Sequence, residues 1–365
     1  MSLTGQPFYY TLIVLTVLAV IAALLLWNRV LGPVAVKTLQ RLFMLVVCQV
    51  VAIALMATWV NNHFGLYASW SDLLGTDNPS HLVMAGPPPQ VATISKADAG
   101  TVSTFFRGPA SGLAAEIYIW TPPQYSEAAY KHTNFPVIML LHGVPGEAHD
   151  WITKGGMPQT LGRMMADGKL KPAIIVMPTI NPGNVDTDCS DTPQSKNATW
   201  LAKDVPNFIE RHFRVIKSPK AWALAGFSTG GFCAIKLPMQ YPKIFGIGAG
   251  MDSDPFTGDP SVLPNDTLRL VNSPVWLARS APPVQLMAAT SEQDLDSPVE
   301  NIITLQRAIR WPTVFATPFV LSSGGHNWRT WGDEEPAVFA WINTVLEGPQ
   351  TPSAKKSHRS PVTRK

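Results

Sequence analysis

Ten residues past the middle of the chain, Trp222-Ala223-Leu224-Ala225-Gly226-Phe227-Ser228-Thr229-Gly230-Gly231, constrain its fold more than any other stretch. An apolar strand runs into Gly-x-Ser-x-Gly-Gly, and an amphipathic helix follows. That succession is the layout of a nucleophile elbow, a strained strand-to-helix turn with the serine hydroxyl exposed at its apex. Gly226 and Gly230 carry no Cβ, so strand and helix can approach closely around the bend. The helix N-terminus behind Ser228 offers unpaired N–H groups and a positive dipole end, both suited to a developing oxyanion.

A serine hydroxyl needs a base to attack at neutral pH. That base is usually a histidine held in one tautomer by a carboxylate. Around such an elbow the chain order is serine, acid, histidine, each in a loop at the C-terminal end of a strand. His326 meets that demand, following Phe319-Val320-Leu321-Ser322-Ser323 and Gly324-Gly325 and preceding Asn327-Trp328 and a last helix. Three carboxylates compete for the acid's place after the strand Gln285–Ala289, in Thr290-Ser291-Glu292-Gln293-Asp294-Leu295-Asp296. Asp294 is preferred, a few residues past the strand where the loop turns back toward His326. Glu292, with its longer side chain, comes second and Asp296 third. The oxyanion needs two backbone donors. One is the N–H of Thr229, and the other comes from the loop His142-Gly143-Val144-Pro145-Gly146, where Val144 is the candidate because Pro145 has no N–H. His142 either contacts substrate or buttresses that loop. Asp150-Trp151 line the acyl or leaving-group side, or Trp151 belongs to the core.

The surrounding pattern is an α/β domain from Val91 to about Pro349. Val91–Phe106 and Leu113–Thr121 read as paired strands, and Phe135–Leu141 and Pro172–Met177 as continuous apolar strands buried on both faces. Trp200–Phe213 fits a helix with His212 on its face, Ala221–Gly226 leads into the elbow, and Ile244–Gly250 is the next strand. Asp252–Ser273 reads as an irregular insertion; Val284–Ala289 and Val314–Leu321 are late strands and Pro336–Leu346 a final helix. Strands alternating with helices indicate a mostly parallel sheet covered on both faces.

Of the 365 residues, 46% are hydrophobic and only 15% charged, and the apolar excess lies at the N-terminus. Phe8–Trp27 and Leu42–Val60 are uncharged runs long enough to cross a bilayer, with Tyr9, Tyr10, Trp27 and Trp59 at their ends. Residues 1–61 are therefore expected to form a membrane anchor of two helices, and 62–90, ending in Gly86-Pro87-Pro88-Pro89, a linker. Arg29, Lys37 and Arg41 are the only charges in that anchor. The positive-inside rule keeps their loop cytoplasmic and sends the catalytic domain (91–349) outward. Lys355, Lys356, Arg359, Arg364 and Lys365 give the tail 350–365 a basic, disordered character, so the net charge of +3 does not describe the folded body, in which acidic residues outnumber basic ones. Nothing points to nucleic acid. Cys48 is filler in the second span. In an oxidising compartment Cys189 and Cys233 can pair and pin a loop over the elbow helix. Cys and His show no metal-ligand spacing, and no cofactor is implied.

With these residues placed, the chain resembles the esterase D family: feruloyl-type esterases, S-formylglutathione hydrolases and antigen-85-type mycolyltransferases. The landmarks are Ile117-Tyr118-Ile119-Trp120-Thr121-Pro122-Pro123-Gln124-Tyr125, Leu140-Leu141-His142-Gly143, Gly226-Phe227-Ser228-Thr229-Gly230-Gly231 and Ser323-Gly324-Gly325-His326-Asn327-Trp328. The resemblance implies an α/β-hydrolase fold after two transmembrane helices and an acyl-enzyme mechanism on Ser228, Asp294 and His326. Trp328, followed by Trp331, matches the mycolyltransferase pattern and is expected at the substrate. His142 and Pro145 stand where those transferases carry an Asp and an Arg. The expected function is an outward-facing esterase acting on lipid or cell-envelope esters. The alternatives are acyl transfer to a sugar hydroxyl and a non-catalytic envelope-binding protein.

Overall fold

The computed structural model describes residues 6–64, 70, 73 and 93–351. They fall into two compact units, one grouping the N-terminal helices with the turn Gly324–Thr330 and the other holding the rest. The expected basic tail beyond 351 and most of the linker 62–90 lie outside the described residues.

The first unit is built on α1 (Gln6–Leu26) and α2 (Val34–Phe64), which pack against each other. Both are long and apolar enough to cross a membrane. Their leucines and valines point to every side, with Leu24, Leu39 and Val50 all exposed, where a helix on a water-soluble core would carry one apolar stripe. The second helix begins eight residues before the expected run, at Val34, and takes Lys37 and Arg41 into its first turns. Arg41 reaches back to the end of α1, its Nε donating to the Trp27 carbonyl at 3.2 Å and its guanidinium lying over the Trp27 ring.

The second unit is a ten-stranded mixed sheet with helices on both faces. Its strands are β1 (Ser95–Lys96), β2 (Val102–Arg107), β3 (Ala114–Trp120), β4 (Val137–Leu141), β5 (Ile174–Pro178), β6 (Trp222–Phe227), β7 (Ile247–Met251), β8 (Gln285–Ser291), β9 (Val314–Phe315) and β10 (Phe319–Leu321). The order is β1-β2-β3-β5-β4-β6-β7-β8-β10, with β9 also on β8. The β1–β2, β2–β3 and β3–β5 pairs are antiparallel and the remainder parallel. Every residue of β4, β5, β6 and β7 is buried, the reason those segments read as unbroken apolar runs instead of alternating ones. The helices include α3 (Met157–Ala166), α4 (Val205–His212), α5 (Thr229–Gln240), α6 (Val299–Ala308) and α7 (Trp328–Val345).

Four elements differ from the sequence reading. Val91–Phe106 is not one strand: from residue 93 onward it holds β1, a short 3-10 turn and β2. The run Val314–Leu321 is split into β9 and β10, with Pro318, which has no N–H for the ladder, just before β10. The insertion Asp252–Ser273 contains a helix, Asp266–Asn272, capped by Asn265 Oδ1 accepting from the Leu268 N–H at 2.8 Å. The last helix starts at Trp328 and encloses Pro336, where a start was expected. Its true cap is Asn327, whose Oδ1 accepts from the N–H groups of Arg329 and Thr330 at 3.1 and 3.2 Å.

Candidate active site

Strand β6 ends at Phe227 and α5 begins at Thr229, leaving Ser228 alone between them with φ 54° and ψ −129°. An L-residue reaches this left-handed region only when the surroundings impose it. Here they do. The Ser228 N–H donates to the Met251 carbonyl at 3.0 Å, and its own carbonyl accepts from Phe232 at 3.0 Å. A Cβ at Gly226 would strike the Gly230 carbonyl, and one at Gly230 the Leu141 carbonyl, so the bend closes only with glycine at both places. Ser228 is 8% exposed, less open than an apex hydroxyl on a bare elbow, because the loop after β4 lies beside it. A Cβ added to Gly143 would come within 3.1 Å of the Ser228 Cβ.

That loop holds the proposed second oxyanion donor. Val144 is joined to Pro145 by a cis peptide bond and is half-buried. Thr229 stands at the first position of α5, where backbone N–H groups have no partner within the helix. His142 has a different place from a substrate-contacting one. It is fully buried, its Nε2 accepts from the Ile180 N–H at 3.1 Å and its Nδ1 donates to the Gly143 carbonyl at 2.7 Å. Burial holds the ring neutral down to about 4. With both nitrogens engaged by backbone, His142 buttresses the loop. Trp151 is likewise core, fully buried with its ring edge on Phe227 at 4.9 Å between centroids.

Among the three competing acids, Glu292 and Asp296 are exposed and Asp294 is 3% exposed. Asp294 Oδ1 accepts from the N–H groups of Asp296 and Ser297 at 2.8 and 3.0 Å, two backbone donors that favour the carboxylate. Strands β8 and β10 are parallel neighbours and Ser291 and Leu321 are register partners at their C-terminal ends. Asp294 stands three residues beyond the first, His326 five beyond the second. His326 is half-buried in its turn, as is Trp328. Five residues after His326, Trp331 stacks on Phe227, the residue before Ser228, at 3.9 Å between ring centroids.

Two features next to the elbow were not foreseen. Asp252 follows β7 with φ 40°, is fully buried, and has a carboxylate oxygen within 4.8 Å of one of Asp294. Lys236, on α5, is fully buried, its Nζ donating to the Asp188 carbonyl and to Ser190 Oγ at 2.6 and 2.5 Å. The expected Cys189–Cys233 disulfide is present and ties the Asp188–Ser190 loop to the same helix.

Residues 111–338 match a protein-family model described as "Putative esterase". The chain belongs to this esterase family. An uncharacterized protein of Corynebacterium glutamicum is 25% identical to it over 252 residues, 63% of this chain; the match spans 57% of that relative's length. A ferulic acid esterase superposes with a TM-score of 0.57 at 20% identity, covering 68% of this chain and 98% of the other. The S-formylglutathione hydrolase of Agrobacterium tumefaciens gives 0.56 at 15%, covering 70% and 99%. At these identities the two structures share with this esterase-family chain its fold.

Proposed function

We propose that the chain is a membrane-held serine esterase whose catalytic unit lies outside the cytoplasm. The observation that carries this reading is the backbone of Ser228, held at positive φ between the end of a central strand and the N-terminus of a helix. A structural turn gains nothing from seating a serine there, whereas a nucleophile gains alignment with the helix N-terminus. Ser228 Oγ attacks the acyl carbon. His326 takes its proton and later returns it to the leaving alcohol; Asp294 orients the imidazole and stabilises its charge. The N–H groups of Thr229 and Val144 hold the oxyanion. Water then hydrolyses the acyl-enzyme.

The order along the chain supports His326 as the base: it comes five residues after Leu321 of β10, as Asp294 comes three after Ser291 of the parallel neighbour β8. Placement outside the cytoplasm is supported by the Cys189–Cys233 disulfide and by the three basic residues clustered around the α1–α2 loop. A carboxylic ester is the substrate class the family and the names of the structural neighbours suggest. A site held at a bilayer suits lipid or envelope esters.

Labelling of the full chain in detergent with a fluorophosphonate, followed by turnover of p-nitrophenyl esters of rising chain length, tests this. Ser228→Ala is expected to abolish labelling and to lower kcat at least about a thousandfold. Labelling that survives the substitution overturns the assignment. Adding a sugar acceptor separates hydrolysis from transfer, since only free acid marks an esterase.

A further inference from the structure

The turn between α1 and α2 and the start of α2 carry Arg29, Lys37 and Arg41, and no acidic residue occurs in the chain before Asp72. These cations have no carboxylate of their own hairpin to pair with. Their depth in a bilayer follows from the two helices. Gln6–Leu26 has 21 residues, about 30 Å at 1.5 Å per residue, which matches the hydrocarbon core alone. Val34–Phe64 has 31. Arg41 sets the alignment between them: its Nε donates to the Trp27 carbonyl at 3.2 Å, and its guanidinium lies 5.3 Å from the centre of the Trp27 ring. Trp27 directly follows α1, so Val34–Gln40 runs past the end of that helix. That stretch is about 10 Å long and crosses the headgroup layer.

A cleft of about 680 Å³ opens at this level, between the end of α1, the turn and the first turns of α2. It is within the size range of small-ligand sites. Leu26, Leu39, Phe43 and Met44 give it an apolar wall on both helices, and its polar groups are Arg29 and Gln40. Leu39 and Phe43 are each 66% exposed. Such a wall is costly against water and favourable against an acyl chain. The cleft thus joins an apolar surface to a cation, at the depth where a lipid joins its chains to its headgroup.

We propose that the α1–α2 turn is a binding site for an anionic phospholipid, whose phosphodiester takes the Arg29 guanidinium and whose chains lie along Leu26, Leu39 and Phe43. The inference rests on the membrane-held part of the reading above and is independent of the nucleophile. A guanidinium presents paired N–H donors that match two phosphate oxygens. Lys37, one turn before Arg41 on α2, adds positive charge at headgroup depth. A zwitterionic lipid offers the same phosphate but brings an ammonium among three cations, so the site selects by net charge. Apolar lining commits the site to a lipid over a free phosphate.

The test uses the full chain purified in detergent and offered equimolar phosphatidylglycerol and phosphatidylcholine with the same acyl chains. Native mass spectrometry reads the lipid retained. Phosphatidylglycerol is expected to be retained about fivefold or more over phosphatidylcholine. Arg29→Gln removes the headgroup partner; Leu39→Trp narrows the cleft and keeps every charge. Each is expected to bring the ratio within about twofold of unity. Both residues are exposed, so neither substitution threatens the packing of the hairpin. Soluble glycerol phosphate in large excess is expected to leave the bound lipid in place. Equal retention of the two lipids, a preference that survives either substitution, displacement by glycerol phosphate, or a second copy of the chain in place of the lipid overturns the proposal. Alkaline carbonate extraction of the expressing membranes separates the two claims. Release of the chain sinks the membrane reading, while a chain that stays in the membrane fraction yet shows no lipid preference sinks only the site.

Discussion

Two buried polar clusters border the elbow, and they balance their charge in opposite ways. On the α5 side, Lys236 lies among Asp186, Asp188 and Asp191, its Nζ donating to the Asp188 carbonyl and Ser190 Oγ. Burial pulls the lysine down and pushes Asp188 up, and each opposes the shift of the other. On the α7 side, Glu334 lies among Asp252, Asp294 and Glu335, and burial, then these acids, push its carboxyl up. A buried amine held by two acceptors steadies a loop while those bonds stay in place. A carboxyl that burial keeps neutral instead changes its charge as pH rises. The first cluster is therefore expected to govern stability and the second to govern pH dependence.

The largest break in this comparison should come from Lys236→Met. Removing the ammonium strands Asp188, which is fully buried, among other acids. Leaving a buried charge uncompensated costs about 3–5 kcal/mol, a fall in Tm on the order of 10 °C for a domain this size. Lys236→Met/Asp188→Asn should recover about half of the loss, since no charge is then left alone. Thermal unfolding of the full chain in detergent reads both. A single variant with the Tm of wild type would mean that the ammonium is not what steadies the loop.

The disulfide beside this cluster should come next. Cys189 and Cys233 are 44 residues apart, for which chain entropy alone gives about 4 kcal/mol, and measured values usually fall short of that figure. With Lys236 still gripping the same loop, Cys189→Ala/Cys233→Ala is expected to cost about 2–3 kcal/mol. It should leave the titration of Glu335 untouched, because that group belongs to the other cluster. A shifted titration would show that the two clusters are not independent.

The sequence made one of these regions visible and hid the other, for a physical reason. The elbow was legible because Gly226, Ser228 and Gly230 sit on a buried strand whose apolar run admits one reading. The central strands followed for the same reason, and Cys189 and Cys233 advertised themselves by type. Asp294 was favoured over Glu292 and Asp296 by its distance past the strand, and it is the buried one of the three. His142 and Trp151 were ambiguous, since a loop histidine and a tryptophan look alike whether they face a ligand or the core, and both face the core. Glu334 and Glu335 were invisible. With a helix start expected at Pro336, the two acids just before it fall outside the helix; with the helix begun at Trp328 they lie within it and are buried. Asp252 was assigned to an irregular insertion when it is the residue directly after β7. An amphipathic helix is expected after the elbow, yet α5 is buried along nearly all its length, Lys236 included. Burial of a charged residue is set by partners distant in sequence, which no local pattern carries.

The smallest effect sharpens the proton side of the comparison through stability instead of rate. Glu335 lies next to Glu334 on α7, and burial raises its carboxyl to about 8. The folded state thus binds this proton more tightly than the unfolded chain does. Stability is fully present below the ordinary glutamate range, declines as pH rises from about 4.5 toward about 8, and levels off beyond. Glu335→Gln removes the titration, so variant and wild type should unfold together near pH 5 and diverge as pH increases. By pH 9 the variant should be the more stable of the two, read as a higher Tm. If the glutamine variant instead gained most at acid pH, Glu335 would be ionised in the fold, and the α7 cluster would need a cation of its own to explain it.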